Sequence, residues 1–196
     1  MNQKFNSTNK VTTRFEQALV YATQLHRHQV RKCSNIPYIS HLLSVTALVL
    51  EDGGSEEEAI AALLHDAIED QGGDKTLQEI KTKFGDKVAA IVEGCTESDI
   101  TPKPPWKERK LATINKLRHA SSEIRRVTLA DKVHNARSIL GDWYRIGDAV
   151  WDRFKTGKSG TLWYFRSIAE VDRELGSSYL GEELTRVIAQ LEKIES

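Results

Sequence analysis

Apolar residues recur along the chain at helical intervals of three and four, and no stretch alternates with a period of two over a strand's length. The pattern predicts an all-α protein, a bundle of about nine or ten helices punctuated by Gly, Pro and Ser/Thr clusters. The first helix opens at Thr13, where Thr13 and Glu16 make a Thr-x-x-Glu capping box and Phe15, Leu19, Ala22 and Leu25 form the buried stripe; it ends near Gln29. A short basic loop then leads to Pro37, which suits the first turn of a second helix reaching Asp52 and stopping at Gly53-Gly54. Ser55-x-x-Glu58 starts a third helix running through AIAALLHDAIED to Gly72-Gly73. Its Ala59, Ile60, Ala62, Leu63 and Leu64 are apolar nearly all round, so it is expected to sit centrally.

Thr76-x-x-Glu79 begins a short fourth helix to Phe84, and Asp86 caps a fifth. Residues 97–105, with three prolines, cannot continue a helix and are a candidate lid. Trp106 opens the next segment, and Ser121-Ser122 precedes a helix carrying Ile124, Val127, Ala130, Val133 and Leu140. Shorter helices follow around 148–154, 161–175 and 182–194. Nothing divides the chain, so 1–196 reads as a single domain with 1–12 as a flexible N-terminus.

Composition narrows the classes. A chain of 196 residues needs no disulfide staples. Cys33 and Cys95 fit no CxxC or disulfide framework, and the opening MNQKFNSTNK lacks the apolar run of a signal peptide. No apolar run approaches the ~20 residues that span a bilayer, so a cytoplasmic protein without a membrane partner is expected. The 28 Lys+Arg balance 28 Asp+Glu, which argues against a generic DNA or RNA binder and leaves any polyanion affinity local. Four tryptophans and an amphipathic C-terminal helix leave material for a homo-oligomer interface.

The candidate chemistry begins in His65-Asp66-Ala67-Ile68-Glu69-Asp70. At about 100° per residue, Glu69 lies one turn beyond His65, and Asp70 one turn beyond Asp66. This could be a solvated acidic helix end, yet it follows a strongly apolar segment and puts negative charge where the helix dipole disfavours it. A cation would offset that cost. His41 lies one turn into an otherwise apolar helix; alone it could equally be a hydrogen-bonded core histidine. Asp131, among Leu129, Ala130 and Val133, would be expensive to bury unpaired. Pairing to Lys132 is the alternative, although sequence neighbours do not face each other on a helix. Together His41, His65, Asp66 and Asp131 offer nitrogen and oxygen ligands suited to a first-row divalent metal with open positions for water. Glu69, within a turn of the ligands but spare, could exchange the proton of an attacking water, and repulsion by a nearby Asp70 would help poise it. Arg31 and Lys32, before the His41 helix, and Arg137, about two turns beyond Asp131, could engage phosphates. So could Lys107, Arg109 and Lys110, or Arg153, Lys155 and Lys158, although each is also an ordinary surface cation.

A His, then His-Asp, then Asp on separate helices resembles the HD-domain superfamily of metal-dependent phosphohydrolases. More narrowly, HRHQVRKCSNIPYISH, ALLHDAIED and LADKVHNAR resemble the hydrolase domain of the RelA/SpoT family and its small stand-alone relatives. The chain is too short to include that family's synthetase or regulatory regions. The resemblance implies a helical fold around one divalent metal, often manganese, and hydrolysis of the 3′-diphosphate of guanosine tetra- or pentaphosphate. It implies His41, His65, Asp66 and Asp131 as metal ligands and Glu69 and Asp70 as the acidic pair acting on water. Arg31 and Lys32 match the basic pair near substrate, Asn135 and Arg137 match nucleotide-side positions, and His26 matches a loop-supporting one. Cys33, where relatives more often have Gly or Ser, and Leu42, where the longer enzymes usually have Pro, depart from the pattern and put substrate preference in question. The alternatives are a related hydrolase for a 5′-monophosphate or a 3′-phosphorylated dinucleotide cofactor, or a catalytically idle nucleotide sensor.

Overall fold

A computed structural model describes residues 10–32, 34–97 and 104–194. Among these, ten α-helices and one 3-10 helix are present and no strand, only an isolated antiparallel bridge between Val30 and Pro37. The all-α expectation therefore holds. Residues 1–9 of the expected flexible N-terminus, residues 98–103 of the candidate lid, and Cys33 lie outside the described residues.

Helix α1 (Thr13–Leu25) is capped by Thr12, not Thr13: the Thr12 hydroxyl accepts from Arg14 N, and its own N–H donates to Glu56 at 2.5 Å. It also ends earlier than the periodicity suggests. Gln29 N donates to the His26 carbonyl, turning the chain into a loop tied by Arg31 N to Ile36 O at 2.8 Å. That loop delivers the chain to α2 (Ile39–Glu51), which buries His41, Leu42, Val45, Leu48 and Val49. Gly54 follows where a Cβ would stand 2.6 Å from Val49 Cγ1, so only glycine allows this close turn.

The Ser55–Glu58 capping box is complete and starts α3 (Glu56–Leu64), whose residues Ala59–Leu64 have no exposed surface. Each buried Leu or Ile there stabilises by about 1.5–3 kcal/mol. Helix α3 packs on α1, α2, α6 (Asp86–Cys95) and α8 (Ser122–Ile146), the central position its all-round apolarity predicts. The sequence pattern suggests one helix through Asp70, whereas the structure breaks it. α3 stops at Leu64, His65 and Asp66 form a turn, and α4 (Ala67–Gln71) follows. The His65 ring supplies the reason: its Nδ1 donates to the Ala62 carbonyl at 2.8 Å, the acceptor an unbroken helix would offer to Asp66 N. Helix α5 (Gly73–Phe84) starts ahead of the expected Thr76.

Helix α7 (Trp106–Arg118) opens at Trp106 as expected, and Ser121 caps the 25-residue α8. A 3-10 turn at Gly147–Arg153, α9 (Gly157–Glu174) and α10 (Tyr179–Lys193) complete the order. α10 packs against α8 and α9, so the middle of α8 is clamped between α2 and α3 on one side and the C-terminal helices on the other. None of the described helices is long and apolar enough to cross a membrane.

Candidate functional site

Three pieces of chain meet where α2, the α3–α4 turn and α8 converge. His41 Nε2 lies 3.5 Å from Asp66 Oδ2 and 3.3 Å from Asp131 Oδ1. His65 Nε2 lies 3.0 Å and 3.8 Å from the same two oxygens. The break after α3 is what turns the His65 and Asp66 side chains to one point. Atoms about 2.1 Å from a common cation are separated by roughly 3–3.5 Å, so these spacings match the edges of a coordination shell. The fit test lies in His65: its Nδ1 is used by Ala62, while its buried Nε2 has no aligned hydrogen-bond partner. A buried orphan nitrogen is costly, and a cation would satisfy it. These residues could hold a divalent metal, with His41, His65 and Asp66 as the tightest group.

Partners outside the cluster fix its members. His41 Nδ1 shares a hydrogen bond of 2.7 Å with His134 Nδ1, one ring donating to the other. Burial, the His41 ring and Arg31 push His134 down to about 4, so it stays neutral. The Tyr38 hydroxyl donates to Asp66 Oδ2 at 2.6 Å, and Tyr38 stacks on His26, whose Nδ1 meets Gln29. His26 thus supports the loop, as expected. Asp131 divides its oxygens: Oδ1 faces the histidines and accepts from Asn135 Nδ2, whereas Oδ2 takes Lys132 Nζ at 2.5 Å. Sequence neighbours do meet here, because the long lysine stem folds back; ion pairing and metal ligation are not exclusive. Burial opposes ionisation of Asp66 and Asp131, but His65 at the first and Lys132 with the histidines at the second hold both well below the usual carboxylate range.

The cluster forms the floor of a cavity of about 190 Å³, with Glu69, Glu97, Lys110, Lys132 and Tyr164 in its walls. Glu69 thus stands beside the ligands, as its spacing predicts. Asp70 does not line the cavity; it accepts from Gln29 Nε2 at 2.7 Å. Burial, then repulsion by Asp66 and Glu69, raises its carboxyl above the usual range.

The basic residues divide. Arg31 Nη2 donates to Asn135 Oδ1 at 2.8 Å and so reaches the edge of the cluster. With Lys32 and Arg153 it borders a second cavity of about 190 Å³, floored by Ile139, Val150 and Phe154 and sharing His134 with the metal-ligand cluster. Arg137 departs from expectation: it pairs with Glu183 of α10 at 2.7 Å and lines neither cavity. Six residues at about 100° each leave it roughly 120° round α8 from Asp131, on the side of the C-terminal helix. Lys107 lies over the Trp163 ring, and Lys158 donates to the Ile194 carbonyl. Sequence reasoning missed Tyr38, His134 and Glu97. His134 was accessible, since it lies three residues after Asp131 and shares its helix face. Tyr38 and Glu97 sit at helix ends, where facing direction follows from no periodicity.

The HD-domain family model matches residues 18–154. A guanosine-3′,5′-bis(diphosphate) 3′-pyrophosphohydrolase of Mus musculus is 32% identical over 178 residues, 89% of this chain and 90% of the relative. The enzyme of the same name from Xenopus tropicalis is 37% identical over 126 residues, 63% of this chain and 68% of the relative. A solved structure described as a metazoan ortholog of SpoT that hydrolyses ppGpp superposes with a TM-score of 0.76 at 23% identity, covering 93% of this chain and 97% of its own, and supports the fold.

Proposed function

The chain belongs to the HD-domain family, and on that footing we propose that it hydrolyses guanosine 3′,5′-bis(diphosphate) at the 3′ position, giving GDP and pyrophosphate, or GTP from the pentaphosphate. The observation that carries this reading is the meeting of His41, His65, Asp66 and Asp131 around one point beside Glu69. Relatives 37% and 32% identical to this chain carry that activity in their names.

His41, His65, Asp66 and Asp131 would hold one divalent cation; a mixed nitrogen and oxygen set accepts manganese, iron or zinc, and the family resemblance favours manganese. When bound, such a cation supplies Lewis acidity and makes a coordinated water acidic near neutral pH. Glu69 takes the proton of the attacking water and returns it to the departing ribose 3′ oxygen. The oxygen–phosphorus bond breaks there, leaving GDP with a free 3′ hydroxyl and the pyrophosphate with the water's oxygen. Asp70, braced by Gln29, would stand as the second member of the acidic pair beside Glu69. Arg31 and Asn135 would lie against the phosphates next to the reacting centre. The second cavity, with an apolar floor and Lys32 and Arg153 at its edge, suits the nucleoside. The lack of a membrane-spanning helix among the described residues supports a cytoplasmic setting for this nucleotide chemistry.

The test is a product assay with manganese over 3′- and 5′-phosphorylated nucleotides. Pyrophosphate release from guanosine tetraphosphate, with nucleoside 5′-monophosphates and 3′-phosphorylated dinucleotide cofactors untouched, is expected. Faster hydrolysis of either alternative would reassign the substrate.

A further inference from the structure

The cavity above the His41–His65–Asp66–Asp131 cluster has a basic wall of its own. Lys110 of α7 and Lys132 of α8 flank one ring, Tyr164 of α9, with their Nζ atoms 4.5 Å and 5.7 Å from its centroid. Lys132 is taken by Asp131. Lys110 is taken by Glu97, which stands just after α6: Lys110 Nζ lies 2.8 Å from Glu97 Oε1. The other oxygen of Glu97 accepts from Arg109 Nη1 at 2.6 Å, and Arg109 Nε donates to the Pro104 carbonyl. One carboxylate thus bridges two neighbouring cations with a separate oxygen for each, the way a phosphate group would, and leaves the trio with one positive charge in excess. The three side chains are only 14%, 19% and 18% exposed for Glu97, Arg109 and Lys110, so the arrangement is built into the wall and does not drift on the surface.

The chemistry of the pair is asymmetric. Burial and the charge of Lys132 push Lys110 below its ordinary range, and Glu97 only partly offsets this. A dianion arriving at the cavity would find Lys110 in the lining and, on the other oxygen of Glu97, Arg109, at the cost of displacing one monovalent carboxylate. Such a displacement weakens anion binding in general but favours an anion of higher charge over chloride or a monocarboxylate.

We propose that Glu97 is a resident anion that fills the Arg109–Lys110 pair in the free protein and gives way to the pyrophosphoryl group, so that it sets how tightly the released pyrophosphate is held. This rests on the proposed reaction for the identity of the anion. Glu97 is a specificity-determining residue in this role: it neither ligates the metal nor exchanges a proton.

The test measures inorganic pyrophosphate binding by calorimetry on the manganese-loaded full chain, alongside turnover of guanosine tetraphosphate. Glu97→Gln removes the resident charge and should tighten pyrophosphate by about tenfold or more. Glu97→Asp, which keeps the charge, should stay near wild type, and Glu97→Gln combined with Lys110→Met should lose the gain. Melting curves on each variant show that it is folded. Unchanged or weaker pyrophosphate binding in folded Glu97→Gln, or a gain that Glu97→Asp shares, would overturn the proposal. Tighter pyrophosphate without turnover of guanosine tetraphosphate would leave Glu97's role standing and remove the substrate assignment. Turnover with unmoved pyrophosphate affinity would do the reverse.

Discussion

The acid–imidazole floor of the cavity and its basic walls are held by different means. On the floor each side chain has a fixed partner: His41 has His134 of another helix, Asp66 has the Tyr38 hydroxyl, His65 has the Ala62 carbonyl of its own helix, and Asp131 has its helix neighbours Lys132 and Asn135. Three of the basic side chains instead pair with an exchangeable side-chain acceptor: Arg31 with Asn135 and Arg153 with Asp142 at the second cavity, and Lys110 with Glu97 in the wall of the first. A centre whose members are fixed by buried partners presents a set geometry, while a cation paired with one side-chain acceptor can exchange that acceptor for an incoming anion. The floor is therefore suited to fixing a reacting atom, and the walls to receiving a substrate of variable length, with three or two 5′ phosphates.

The largest effect should come from the floor. His65→Ala is expected to lose metal and activity together, a fall in rate of more than about 10³-fold; stoichiometric manganese retained in the purified variant would remove His65 from the ligand set. Glu69→Gln should keep the metal and lose about 10²–10⁴-fold in kcat. A near-normal rate there would end its proton-transfer role. His134→Phe tests the bracing itself: breaking the bond to His41 should weaken metal affinity by about 10–100-fold, measured by competition with a chelator. Unchanged affinity would mean that the floor is no better braced than the walls.

Effects in the walls should be smaller and salt-dependent. Arg31→Ala is expected to raise KM by about tenfold at low salt, with a narrower gap at high salt. An equal effect at both ionic strengths would point to lost packing and not to lost charge. Arg137→Ala should do least, within about twofold of wild type, since it is paired with Glu183 of α10 and lines neither cavity. A large loss of activity there would restore the nucleotide-side role that the family resemblance implies.

The same contrast explains what could be read from the chain alone. The helices and the four floor residues were legible because burial imposes period and spacing: a histidine or carboxylate within an apolar run is conspicuous when its neighbours are Leu, Ala and Val. The break at His65-Asp66 was not, because it depends on one ring nitrogen competing for the Ala62 carbonyl inside a segment whose apolar pattern runs on unbroken. Nor was the fate of the cations. Arg31 and Arg137 look alike in sequence, yet one turns to Asn135 and the other to Glu183, a choice set by where α10 docks on α8. Charged side chains follow tertiary neighbours, and those are not written in local periodicity. Lys132 shows the same in miniature, folding back onto a neighbour that helix geometry alone would place out of reach.

The most direct measurement follows the oxygen. Turnover of guanosine tetraphosphate by the manganese-loaded protein in ¹⁸O-labelled water, read by mass spectrometry of both products, reports which bond breaks. Attack on the 3′ phosphorus beside Glu69 places the label in pyrophosphate and leaves GDP unlabelled. Label in GDP, or stepwise release of orthophosphate, would contradict a water activated at the His41–His65–Asp66–Asp131 centre and aimed at the 3′-diphosphate.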